Sequence, residues 1–208
     1  MVIFWSDHGD MLGQHGSFCG IKNQAYRAAM QVPFIIRYPN RLKGGRRSAA
    51  MVDVGVDLMG TLCDMLDIEQ PSETHSQSYL AALDGTSDQH RDVIWYQLFR
   101  QNDGNVGEYT PYAQRGMRTR EWLYVRTKDL RTDLYDLVND QLEQVNLVDD
   151  PQYETLMDDF DSRITAHMQQ TGDDWDMAAD FPPPDWVTHA EAKAQLEADL
   201  LPRAIIVP

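Results

Sequence analysis

The chain opens on an apolar block. Val2 to Trp5 are four β-branched or aromatic residues in succession, a run that predicts a short strand buried on both faces of a sheet. Ser6 and the glycines at 9, 13 and 16 end it. "QAYRAAMQ" predicts a short helix stopped at Val32-Pro33, and Phe34 to Tyr38 predicts a second doubly buried strand closed by Pro39-Asn40 and a basic turn. Apolar residues at 54, 58, 62 and 66 then form a helical stripe, with Pro71 beyond its end. "SYLAALDGT" predicts another short helix, with Gly85 where a left-handed cap would sit. The alternation is α/β. Because a parallel strand needs neighbours on both sides, the sheet partners of Val2 to Trp5 are expected upstream of this sequence. Open strand edges and uncovered apolar faces are the expected consequence.

The pattern changes near residue 86. "RDVIWYQLFR" and "YAQRGMRTREWLYVRTK" are rich in Val, Ile, Tyr and Trp and predict strands, and "TDLYDLVND" predicts another short strand and a turn. Across 150–169, Tyr153, Leu156, Met157, Phe160 and Ile164 recur at helical spacing, with Pro151 near the first helical position and Asp150 as a cap before it. The second half is therefore expected to be a small antiparallel sheet with one packed helix. Residues 171–208 predict an extended Pro-rich tail, with the prolines at 182 to 184, followed by an amphipathic helix. The expected organisation is thus 1–85, 86–170 and the tail.

Charge narrows the classes of function. The formal net charge of −15, with the acidic residues crowded between 139 and 199, argues against nucleic acid, which needs a basic footprint to release counterions from phosphates. A solvated acidic surface accounts for it, and the excess of Arg over Lys also suits adaptation to high salt. No run approaches the ~20 apolar residues of a membrane span. Cys19 and Cys63 are too few for a disulfide framework. Cys63 reads as a core residue of a helix, and Cys19 lies in a Gly-flanked loop.

The first strand runs into Asp7 and His8. In open α/β sheets, ligands collect beyond the carboxyl ends of the strands, and a carboxylate with an imidazole there can bind a divalent cation. The same Asp-His-Gly also serves as plain turn chemistry. Three stretches together tilt the balance. "SDHGDMLGQHG" is similar to a strand-end metal loop of the form SDHGExLGxHG, and "KNQAYRAAMQVPFIIRYPNRLKGG" resembles a Lys, four residues on a Tyr, then VPxIIRxPxxxxxG. "RTREWLYV" with "DLYDLVNDQLEQVNLVDDPQY" is close to RTxxYKYI and ELYDLxxDPxExxNLADDP. Together, and in this order, they resemble the sulfatases of the alkaline phosphatase superfamily across roughly residues 2 to 170.

The resemblance implies the C-terminal part of an alkaline-phosphatase-like α/β/α sandwich, followed by a small antiparallel sheet. It implies that Asp7 and His8 are ligands of a divalent cation, usually calcium. It also implies that Lys22 contacts the sulfate and stabilises charge on the transferring group or the leaving oxygen, as both a catalytic and a substrate-binding residue. A compact ammonium suits that role. Asp10 and His15 would be loop polars or partners that orient the ligands, and Tyr26 would pack. Arg27 stands where many relatives carry Glu, and Gln141 where they carry Pro. The implied partner is a sulfate ester, a small molecule or a glycan.

Two family features have no counterpart here. One is the C/S-x-P/A-x-R motif that yields the formylglycine nucleophile, since Cys19 is followed by "GIK". The other is the Asp-Asp pair that completes the metal site. A hard cation wants ~6 to 8 oxygens, so two ligands and a lysine do not close a site. The expectation is a C-terminal fragment of a sulfatase-like enzyme that is inactive alone. A phosphonate or phosphate ester hydrolase of the same superfamily and a non-catalytic binding chain are the alternatives.

Overall fold

The computed structural model describes residues 1–16, 22–98 and 113–175. The expectations for Cys19, for residues 99–100 of the "RDVIWYQLFR" strand and for the tail beyond 175 lie outside them. Contacts gather the chain into two units, one of Met1–Trp95, Met117–Leu123 and Tyr135–Val145, the other of Tyr96–Gly116, Tyr124–Leu134 and Asn146–Pro208.

In the first unit β1 (Val2–Trp5) and β2 (Phe34–Arg37) form where the apolar runs predict strands. They pair with each other antiparallel, Val2 opposite Arg37 and Trp5 opposite Phe34. The expectation of parallel strands buried on two faces is corrected: Val2, Phe4 and Ile35 are 62, 62 and 61% exposed. The physical reason is the size of the sheet. A ribbon of these two strands alone, among the described residues, has outer edges on both sides and too few neighbours to cover its faces.

Helix α1 (Arg27–Met30) is a single turn between the strands. Helix α2 (Val54–Leu66) starts at Asp53, whose carboxylate accepts the Val56 N–H at 3.2 Å, and ends at Asp67 in the left-handed conformation. Its inward face is not the apolar stripe. The buried residues are Asp57, Gly60, Thr61 and Met65, whereas Val54, Leu58, Leu62 and Leu66 line an open apolar groove of about 390 Å³ with Trp5, and half-buried Cys63 stands in its wall rather than in the core. The helix is rotated because its interior contacts are polar and close. Asp57 is fully buried against Arg91 and His90, and a side chain at Gly60 would meet the Ser76 hydroxyl at 2.7 Å. Helix α3 (Leu80–Asp84) ends as predicted at Gly85, with φ of 92°.

Strands β3 (Ile94–Leu98), β4 (Gln114–Arg118), β5 (Trp122–Arg126) and β6 (Arg131–Asp136) lie side by side in that order. Tight turns closed by Thr119 N–H to Trp122 O and Thr127 N–H to Leu130 O make β4, β5 and β6 antiparallel neighbours. In the second unit, Asp150 caps a 3-10 turn at Pro151–Tyr153 that leads into helix α4 (Glu154–Thr171). The helix buries Met157, Phe160, Ile164 and Met168, close to the stripe the spacing predicts, and Gly172 closes it with φ of 66°. Tyr124 packs on Phe160 and donates its hydroxyl to Asp161 at 2.7 Å. Among the described residues, no helix is long and apolar enough to cross a membrane.

Candidate functional site

The site is built where β1 stops. Ser6 turns the chain, its hydroxyl donating to the His8 carbonyl at 2.7 Å. Asp7 Oδ1 accepts the His8 backbone N–H at 3.0 Å, which leaves Oδ2 facing the His8 ring, 3.5 Å from Nε2. The ring is oriented from its other side, where Nδ1 lies 2.7 Å from the Gly9 carbonyl. A carbonyl only accepts, so Nδ1 carries the proton, and in the neutral ring the Nε2 lone pair faces the carboxylate. Two acceptors then meet across a gap that a cation, a proton or a metal ion, can bridge. Desolvation works to raise the Asp7 pKa, but the His8 amide, the charge on the His8 ring when it is protonated and the Ser6 hydroxyl hold it below the usual carboxylate value.

Gly9 explains why this loop needs glycine. Its N–H donates to the Ala29 carbonyl of α1 at 2.7 Å, and a Cβ on it would lie 1.9 Å from the Ala28 carbonyl oxygen. The loop backbone therefore rests directly on the helix backbone. Beyond it, Met11 is fully buried with Ala29, next to Tyr26 and Ala28. Leu12, Gly13, His15 and Gly16 all take positive φ, coiling the loop back on itself.

Of the remaining sequence candidates, Asp10 and His15 lie within this loop. Asp10 accepts the Leu12 N–H at 2.8 Å, a local turn bond. His15 stacks face to face on Tyr26 at 3.9 Å, and Tyr26 meets Tyr135 edge-on, so Tyr26 packs. Lys22 is exposed, and the ion pairs found among the described residues join Asp7 to His8 but not to Lys22. A residue that sequence reasoning missed is Glu143. Almost fully buried, it accepts the Arg27 N–H at 2.8 Å and pairs with Arg118. The signal was present in the Glu of "DQLEQVN", which matches a position of the quoted pattern.

In kind, a carboxylate and an imidazole whose Nε2 faces it fit a divalent cation. In number they fill only part of its shell. Among the described residues no group of three or more His, Cys, Asp or Glu side chains is gathered to hold a metal ion.

Comparison with known proteins identifies the family of the chain. The family described as "N-sulphoglucosamine sulphohydrolase, C-terminal" matches residues 13–170, a span that includes Lys22 and begins after His8. An ulvan-active sulfatase of Formosa agariphila is 27% identical over 180 residues, covering 84% of this chain and 34% of the relative. Among solved structures, a 2-O GAG sulfatase superposes with a TM-score of 0.71 at 21% identity, over 83% of this chain and 37% of that one. The phosphonate monoester hydrolase of Agrobacterium radiobacter superposes with a TM-score of 0.67 at 24% identity, over 81% and 34%. These neighbours share the α/β fold that the resemblance implied. The chain spans about a third of the length of the curated relatives it matches. With three-quarters of its residues inside that family match, the chain belongs to the N-sulphoglucosamine sulphohydrolase C-terminal family, among the sulfatases of the alkaline phosphatase superfamily.

Proposed function

We propose that this chain is the cation-holding C-terminal portion of a hydrolase of sulfate esters, calcium-dependent and acting on a sulfated glycan or a small sulfate ester. The observation that carries the reading is the Asp7–His8 pair at the end of β1, with Nε2 and Oδ2 facing each other at 3.5 Å. Asp7 and His8 would hold the cation, and Lys22 would neutralise charge on the bound ester. When bound, a divalent cation polarises the ester and the attacking oxygen. The nucleophile, a formylglycine by family resemblance, and the remaining acidic ligands would come from sequence outside these 208 residues. The glycan class is supported by the ulvan-active relative. Residues 1–85 would complete the α/β layer, and 86–170 the antiparallel subdomain beside it.

On this reading the 208-residue chain does not turn over esters by itself. Incubating the purified chain with calcium and an aryl sulfate, an aryl phosphate or an aryl phosphonate is expected to give release at the buffer rate. Turnover abolished by Asp7→Ala would overturn the division of labour. A phosphonate-selective turnover of that kind would favour the second reading, a phosphonate or phosphate ester hydrolase, which the fold of the Agrobacterium neighbour accommodates.

A further inference from the structure

Glu143 has no place in the chemistry above, yet it is an almost fully buried acidic side chain that bonds the first residue of α1. Its residue is 1% exposed and its backbone is held at φ of 58°, a left-handed conformation that a side chain adopts only under constraint. Burying a carboxylate is costly unless every lone pair finds a donor. Here Oε1 accepts Nη1 of Arg118 at 2.5 Å and Oε2 accepts the backbone N–H of Arg27 at 2.8 Å. Arg27 is the first residue of α1, and Tyr26 before it supplies no side-chain cap. Glu143 therefore caps from 116 residues away a helix that lacks a cap of its own.

A helix of four residues has no intrinsic stability, so its position is set by its anchors. What it positions is the site. The Ala29 carbonyl holds the Gly9 N–H at 2.7 Å, the Ala28 carbonyl presses on the Gly9 Cα, and the Gly9 carbonyl holds Nδ1 of His8 at 2.7 Å. An unbroken run of contacts leads from the Arg118 guanidinium through Glu143, α1 and Gly9 to the imidazole. We propose that Glu143 is a positioning residue for the Asp7–His8 pair, fixing the helix against which Gly9 sets the His8 ring. This rests on the reading of Asp7 and His8 as cation ligands, but its geometric half stands without a cation.

Glu143→Gln and Glu143→Ala variants of the full chain, followed by amide hydrogen exchange and by the ¹⁵N shifts of the His8 ring, test it. Met65→Ala, in the core of α2, serves as a matched destabilising control. The alanine variant is expected to speed exchange at Gly9 by at least ~10-fold, the loss of about one net hydrogen bond, with α2 amides within ~2-fold of wild type. The His8 nitrogens should shift toward the average of two tautomers. The glutamine variant keeps an oxygen for the Arg27 N–H and should preserve the Gly9 protection more fully than alanine. Should alanine unfold the chain, the glutamine variant decides, because its NH2 faces the Arg118 guanidinium where the carboxylate accepted: a partial change at Gly9 and His8 ahead of α2 supports the proposal. Unchanged Gly9 and His8, or loosening spread over α2 as in Met65→Ala, overturns it. Wild-type chain titrated with Mn²⁺ separates the two readings. A Glu143 effect on Gly9 and His8 without Mn²⁺ broadening there refutes the ligand assignment and leaves the positioning intact.

Discussion

Gly9 is the residue on which the site geometry turns. Its Cα lies so close to α1 that a methyl group would overlap the Ala28 carbonyl oxygen at 1.9 Å. Gly9→Ala is therefore expected to cost about 1–3 kcal/mol in urea denaturation, as overpacking against unyielding backbone does. Gly44→Ala, where nothing lies within 4 Å, should change stability by less than ~0.5 kcal/mol. Equal effects would show that the loop does not rest on α1. The sequence makes Asp7, His8 and the glycine spacing legible, because strand-end ligands and glycine turns are local patterns. It does not reveal which glycine is there for a turn and which for a close approach. Gly13 and Gly16 have positive φ, whereas Gly9 is needed for space, and space depends on a helix eighteen or more residues downstream.

Element by element, α2 marks the limit of hydrophobic periodicity. The helix and its stop before Pro71 are legible in the apolar stripe, whereas the cap at Asp53 emerges from the structure. Its facing is not, since the buried side carries Asp57, whose carboxylate takes a two-pronged bond from Arg91, a bond from His90 at 2.8 Å and the Gln77 N–H at 2.9 Å. A charge enters the interior only with partners, and those partners lie beyond the helix in sequence. By contrast, α4 is read correctly because its buried stripe is apolar throughout. Burial works to raise the Asp57 pKa, but the Arg91 fork, the Gln77 amide and His90 outweigh it and hold the group below its usual 3.8. A carboxylate with a folded-state pKa below its unfolded value stabilises fully above that unfolded value. The contribution is lost as pH falls through the folded value. Asp57→Ala should thus destabilise by about 3–5 kcal/mol at pH 7, leaving Arg91 without its counter-charge. The gap to wild type should narrow only below about pH 4. A gap constant from pH 7 to 2, followed by denaturant titration, would contradict the assignment.

At the scale of the whole molecule, the exposed apolar surface governs behaviour in solution. Val2, Phe4, Trp5 and Ile35 are exposed on the ribbon, and Trp5 continues into the groove along α2. Such a surface associates. Sizing chromatography of the 208-residue chain is expected to show self-association despite the net charge of −15. The double variant Phe4→Ser, Ile35→Ser should reduce it. A monomer at all concentrations would contradict this. The central claim, that Asp7 and His8 are cation ligands, is tested most directly by Mn²⁺ line broadening across the assigned amide spectrum of the full chain. The account predicts that Asp7, His8 and Gly9 broaden first, and that Asp7→Asn and His8→Ala each remove the effect. Broadening that starts instead on the acidic stretch 149–161, or that survives both substitutions at residues 7 to 9, would contradict it.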